Sequence, residues 1–285
     1  MYRSVLRTRR QTLALLAGSA VTARAASADP EAGAAPFRYA GLDHVALSVD
    51  NVENSLRFYT RLFGSTVMKE KTNPRHYVKA GPDYIAIAPH GEGQNLAVID
   101  HFCPGIDKFD AAAAKRVLDR IGVQYREAKG VGLFVPDPDG TLVQLWTQDS
   151  WSRLDQTATL ISVPSPGEPL LQPSGMDHLL VNVSNPQKST PFYEKVLGPV
   201  INPSSRPRRT WFSAGGGTRV GLAAVESGQR PGIDHFCFTA PFDRGTLSKA
   251  VEAGGGKIIK GDVEAGIDFL DLDGIHVQVL PPARA

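Results

Sequence analysis

The sequence predicts an α+β fold built from tandem paired βαβββ modules, four modules arranged in two domains. Three observations carry this. An Asp-His pair behind an apolar residue occurs four times, as Leu42-Asp43-His44, Ile99-Asp100-His101, Met176-Asp177-His178 and Ile233-Asp234-His235. The spacing is duplicated: 57 residues separate His44 from His101 and His178 from His235, and adding 134 to a residue number carries the first half onto the second. That offset also superposes Phe58-Tyr59 on Phe192-Tyr193, Cys103 on Cys237, Asp139-Gly140 on Asp273-Gly274, and Gln144 on Gln278, which marks an internal repeat. Finally, each pair opens a β-branched run that is followed by one helical pattern and then by short strand patterns.

In order, Leu42 to Val49 reads as a strand, with His44, Ala46 and Ser48 on one face. Val52, Leu56, Tyr59 and Phe63 fall at helical spacing, with Asn51 placed to cap and Gly64 to terminate. Strands are expected at 67–70, 77–80 and 84–88, between turns at Asn73-Pro74 and Gly81-Pro82-Asp83. A second module then starts at 97–103, continues through a helix at 110–121 stopped by Gly122, and ends in strands at 123–125, 132–135 and 141–147. Four prolines between 148 and 174 predict a semi-extended linker. The second domain, 175–282, replays the first domain, 41–147. Pro191 falls inside its first helix, which is therefore expected to start late or kink.

With 31 Lys and Arg against 29 Asp and Glu, the formal charge is +2. That balance excludes a nucleic-acid or anionic-membrane partner as the organising function. Two cysteines exclude a disulfide framework. Residues 1–28 read as a signal peptide: Arg3, Arg7, Arg9 and Arg10 precede a short apolar run, and small residues follow at 23–28. Thr8-Arg9-Arg10-Gln11-Thr12-Leu13 resembles a twin-arginine signal. The expectation is a bacterial, exported chain, periplasmic or secreted, with no membrane anchor and a mature start near Asp29.

Four histidines and two glutamines in register on apolar strands require partners, because an unpaired buried polar group is costly. A divalent metal ion is one such partner. Imidazole suits Fe, Zn, Mn or Ni, and ligands from separate strands leave positions open for substrate. His276 and Gln278 share a strand face, and Leu142 holds the place of His276 in the first half. His276 is thus expected as an acid, a base or an extra ligand beside the second set. By alternation the aspartates point to the opposite face, where capping and turn chemistry are their expected role. Cys103 and Cys237 read as small buried residues. Arg206, Arg208, Arg209 and Arg219 read as a solvated basic edge.

The paired modules opening on Asp-His, the Phe-Tyr before a helix-ending Gly, and the Asp-Pro-Asp-Gly turn before a last strand resemble the vicinal oxygen chelate superfamily. That superfamily includes glyoxalase I, bleomycin-binding resistance proteins and extradiol-type dioxygenases. The resemblance implies two metal histidines per half, His44 with His101 and His178 with His235. It places the family's third, carboxylate ligand at Gln144 and Gln278. Either His-His-Gln is a working site or it has been reduced to a hydrogen-bonded polar core. The resemblance further implies a metal-dependent dioxygenase, lyase or isomerase acting on a small-molecule substrate with vicinal oxygens, as a monomer or homodimer. The alternative is a metal-free protein that sequesters a small molecule. Ligands could also be exchanged between the halves, as in composite sites of relatives with one domain per chain.

Overall fold

In the computed structural model, the described residues are 34–283, except 92–95, 165–166 and 206–207. The leader expected at 1–28 lies outside them. The first half comprises β1 (Tyr39–Val49), α1 (Val52–Phe63), β2 (Thr66–Glu70), β3 (His76–Ala80) and β4 (Asp83–Pro89). Its second module comprises β5 (Val98–Ile106), α2 (Ala111–Ile121), β6 (Arg126–Ala128), β7 (Gly132–Pro136) and β8 (Leu142–Thr147), and β9 (Ala158–Ser162) follows. The second half repeats the plan with β10 (Gly175–Val183), α3 (Pro186–Leu197), β11 (Val200–Ser205), β12 (Arg208–Gly215) and β13 (Thr218–Ala224). It ends with β14 (Gly232–Thr239), α4 (Arg244–Ala253), β15 (Lys257–Ile259), β16 (Ile267–Leu270) and β17 (His276–Leu280).

Each half forms one sheet, in the order β6-β7-β8-β5-β1-β4-β3-β2-β9 and β11-β12-β13-β10-β14-β17-β16-β15. The opening strands of the two modules, β1 with β5 and β10 with β14, pair antiparallel in the middle of each sheet. All four Asp-His pairs therefore lie on central strands. The second sheet curls strongly. Arg209 on β12, near one edge, reaches Asp262 in the loop after β15, at the other edge, at 2.7 Å.

Local chemistry accounts for most helix ends. The Asn51 side chain accepts the Asn54 N–H (3.0 Å), Asp110 accepts that of Ala113 (2.6 Å), and Gly122 ends α2 in the left-handed region at φ 66°. Residues 123–125, expected as a strand, instead reverse the chain, with the Val123 N–H tied to the Leu118 carbonyl, and pairing begins at Arg126. The helix α3 does not start late: Pro186 opens it and Asn185 caps it through Lys188. Pro191 removes one backbone donor, and burial of Tyr193, Val196 and Leu197 offsets that loss. The connecting segment is also more structured than its prolines suggest. Residues Ser150–Gln156 form a 3-10 helix, and β9 adds to the sheet edge beside β2. Among the described residues no helix is long and apolar enough to cross a membrane.

The two halves share a single apolar core. Phe63 on α1 packs on Phe238 of β14 (ring centroids 5.0 Å), and Phe58 packs near Phe269 of β16. A pseudo-twofold pair of hydrogen bonds frames this core. The Tyr59 hydroxyl donates to Asp271 at 2.8 Å and its counterpart Tyr193 donates to Asp137 at 3.1 Å.

A further link between the halves is pH-sensitive. Asp83 accepts the Met176 N–H at 2.6 Å, and burial lifts its carboxyl from 3.8 to about 7, against the opposing effect of that hydrogen bond. A folded value above the unfolded one means that the protonated carboxyl stabilises the fold fully below the unfolded value. That contribution is lost as the pH rises through the folded value. Asp83→Asn keeps an acceptor for Met176 without the charge. We expect it to flatten the stability profile between the two values and to raise stability in mildly alkaline buffer by on the order of 2 kcal/mol, read by denaturant titration across pH.

Candidate metal centre

The four aspartates turn out to have a different role from the one that alternation predicts. Leu42 pairs with Pro104 and His44 with Cys103, so Asp43 is an extra residue in β1; Asp100, Asp177 and Asp234 are extra in the same way. Each Asp-His pair is thus a β-bulge, which breaks alternation and brings consecutive side chains together. Every histidine Nδ1 faces the carboxylate just before it, at 2.8 Å for His44, 2.7 Å for His101, 2.5 Å for His178 and 2.7 Å for His235. For His178 and His235, a carboxylate accepting at Nδ1 fixes the tautomer and turns the Nε2 lone pair into the cup, the arrangement of metal-binding imidazoles. His44 instead meets an acceptor oxygen at each ring nitrogen, Asp43 at Nδ1 and Gln144 at Nε2. All four aspartates orient histidines, and Asp43 in addition holds the start of the 3-10 helix through Ser150.

His44 meets His101 and Gln144 within the first half, and His178 meets His235 within the second. They differ in what surrounds them. In the first half, Gln144 donates its Nε2–H to the Val131 carbonyl (2.5 Å), and its Oε1 accepts from His44 Nε2 at 2.9 Å. Tyr84 stacks on His44 at 4.5 Å, and its hydroxyl hydrogen-bonds Ser150 at 2.7 Å. The Ser150 N–H donates to Asp43 (3.0 Å), as does its hydroxyl. The 3-10 helix therefore plugs this cup, and Tyr77, Tyr84, Ala86, Leu154 and Ala158 fill it as a small second core. His101 packs edge-on to Phe134, and burial lowers its pKa to about 4. In the first set, both ends of the Gln144 amide and both His44 nitrogens find partners within the protein.

The second set is not satisfied. His178 Nε2 and His235 Nε2 face each other at 3.3 Å, while both Nδ1 atoms are held by aspartates. Burial lowers the pKa of His235, which keeps it neutral. Two lone pairs in contact require a proton or a cation between them. Gln278 is 1% exposed, its Nε2–H groups donate to Asp268 at 3.0 and 3.2 Å, and its Oε1 is buried without a partner. Two facing imidazole nitrogens and an orphaned amide oxygen are donor types that suit a divalent ion.

His276 lies beside this set, 4.7 Å from the His235 ring. Burial opposes its charge, but Asp234 and Asp268 outweigh burial and raise its pKa to about 9. Its Nε2–H donates to Asp268 at 2.8 Å. It is cationic at neutral pH, so it suits an acid and not a base. Asp268 and Asp262 were missed in the sequence. The duplication held the signal: Asp262, Asp268 and His276 replace Ala128, Phe134 and Leu142 of the first half.

Trp211 forms a wall, edge-on to His178 at 5.4 Å, and Gly221 makes room for it, since a Cβ there would lie 2.7 Å from the indole. Arg219 lies over Trp211 and pairs with Asp177 at 2.8 Å, with its side chain 40% exposed. Arg209 is likewise paired, while the Arg206 and Arg208 side chains lie outside the described residues. Burial raises both cysteine thiols well above their ordinary value, as expected of inert core residues. A cleft of about 350 Å³ opens beside His276 and Asp234, walled by Asn182, Arg230 and, from the first half, Val98 and Ile99. A larger groove of about 680 Å³ between α1 and α4 is lined by none of these histidines.

The family model described as Glyoxalase/Bleomycin resistance protein/Dioxygenase superfamily matches residues 41–145 and 175–279. No curated protein sequence matches the chain. Among solved structures, a xylose isomerase-like TIM barrel/4-hydroxyphenylpyruvate dioxygenase fusion protein aligns at TM-score 0.64 and 13% identity, covering 87% of this chain but only 50% of its own length. The Mn(II)-bound glyoxalase from Novosphingobium aromaticivorans aligns at TM-score 0.59 and 14% identity, over 87% of this chain and 84% of that one. Homoprotocatechuate 2,3-dioxygenase from Brevibacterium fuscum, in complex with 3,4-dihydroxyphenylacetate, aligns at TM-score 0.60 and 15% identity, over 88% and 82%. At such identities these likenesses establish the fold.

Proposed function

Since the chain belongs to the glyoxalase/bleomycin resistance protein/dioxygenase superfamily, we propose that it is a metal-dependent enzyme acting on a small substrate with two neighbouring oxygens, and that its second half does the work. The observation that carries this reading is the unsatisfied donor set: facing Nε2 atoms 3.3 Å apart and a buried, unpartnered Gln278 Oε1. His178, His235 and Gln278 would hold the ion, of Fe, Zn, Mn or Ni type. When bound, it supplies Lewis-acid chemistry, polarising adjacent substrate oxygens and stabilising negative charge on them. Asp177 and Asp234 keep the Nδ1 protons in place so that both Nε2 atoms remain donors. Trp211 excludes water from one side. His276 holds a proton next to the cleft and acts as general acid toward a substrate oxygen. The 3,4-dihydroxyphenylacetate of one structural neighbour has the vicinal-oxygen pattern this chemistry needs. The Arg9-Arg10 leader supports export from a bacterial cell.

The test is reconstitution of metal-stripped protein with Mn²⁺, Fe²⁺, Zn²⁺ or Ni²⁺, assayed against catechols and 2-oxoaldehyde–thiol adducts. Turnover should appear with one metal, vanish with chelator and fall on the order of 100-fold in His276→Gln. Stoichiometric binding of these compounds with neither metal nor turnover would instead establish sequestration.

A further inference from the structure

Within one chain, the duplication places the same glutamine in two different environments. Gln144 and Gln278 occupy equivalent last strands, each opposite one residue of the neighbouring strand: Phe134 faces Gln144 and Asp268 faces Gln278. Beside Phe134, the Gln144 amide finds the Val131 carbonyl and its oxygen is taken up by His44. Beside Asp268, both carboxylate oxygens hold the Gln278 Nε2, and the amide oxygen is left free. Two acceptor oxygens leave no doubt which end of that amide is nitrogen, so Asp268 fixes which end is available as a donor.

Asp268 is 3% exposed, and it also accepts from His276 Nε2 at 2.8 Å. A buried carboxylate is expensive unless it is compensated. Apart from the amide, His276 is the compensation the described residues show. The superfamily resemblance puts a carboxylate ligand at position 278, where this chain has none. The negative charge is nevertheless present, one strand away.

We propose that Asp268 is the displaced carboxylate of this site, a positioning residue that orients the Gln278 amide oxygen toward the ion and supplies the negative charge that Gln278 lacks. This rests on the reading of the second half as a metal site. It explains why Asp268 and His276 occur together in one half and are both replaced, by Phe134 and Leu142, in the half whose glutamine is satisfied internally.

The experiment is calorimetric titration of metal-stripped full-length protein with Zn²⁺ and with Co²⁺, the latter also followed by its visible absorption. Wild type should bind one ion per chain. Asp268→Asn should weaken binding by at least about tenfold, the scale of lost second-layer contacts to metal ligands, and should shift the Co²⁺ spectrum. The double variant Asp268→Asn with Gln278→Glu returns the charge to the last strand and should restore affinity to near wild type, which a merely structural role for Asp268 would not allow. Thermal melting of each variant reports folding separately. Unchanged affinity in Asp268→Asn, or a folded double variant as weak as the single one, would overturn the proposal. Absence of binding in wild type would overturn the metalloenzyme reading itself.

Discussion

Replacing His178 or His235 with Ala is expected to cost more than about 100-fold in divalent-cation affinity, beyond the range seen for outer contacts of a metal ligand. The same change at His44 or His101 should leave cation binding intact. The four histidines share one motif, one bulge and one Nδ1–carboxylate contact. They differ at Nε2. In His44 that nitrogen is engaged by Gln144 under a stacked Tyr84, whereas in His178 and His235 the two nitrogens confront each other. His44→Ala should act on stability instead. It strands the buried Gln144 oxygen and leaves space beneath Tyr84, a loss of about 1–3 kcal/mol for the orphaned group alone. Cation titration and denaturant melts on the same four variants separate the two effects.

The largest stability effect is expected at the seam between the halves. Phe238 is fully buried, 5.0 Å from the Phe63 ring of the first half and 5.9 Å from Phe236. Phe238→Ala should destabilise by about 3–5 kcal/mol, the usual scale for emptying a buried aromatic site. Because one apolar cluster spans both halves, unfolding should remain a single transition. Trp146 and Trp151 report on the first half and Trp211 on the second. Single-tryptophan versions should therefore show coincident midpoints in wild type and a common downward shift in the variant. Separate midpoints would show that the halves are independent domains.

The duplication, the strand and helix plan and the matched positions of the four Asp-His pairs and the two glutamines were legible because each leaves a local or periodic trace. The bulges were not. Nothing in Leu-Asp-His announces an extra residue; the bulge exists only relative to the partner strand, and strict alternation sends Asp43 and its equivalents to the wrong face. The connecting segment misled for a similar reason, since β9 is a strand by virtue of pairing with β2 while its Leu160 stays 68% exposed. Asp268 escaped notice because it meets Gln278 across a strand pair, ten positions away in sequence. Comparison of the halves position by position would have found it, since a charged residue stands where the first half has Phe134. What composition could never reveal is that one glutamine is hydrogen-bonded shut and its copy is not. That difference is made by Val131 and His44, which take both ends of Gln144, and by Asp268, which takes only the nitrogen end of Gln278.

On the proposed reading, one cup of this duplicated chain takes a cation and the other has become core. The most direct measurement is an anomalous-scattering map from crystals of the full chain grown with Mn²⁺ or Zn²⁺. A single peak between His178 Nε2 and His235 Nε2, within bonding distance of Gln278 Oε1, with the Gln144–His44 contact intact, is the expected result. A peak at His44 and His101, or a fully loaded crystal with no peak at either set, would contradict it.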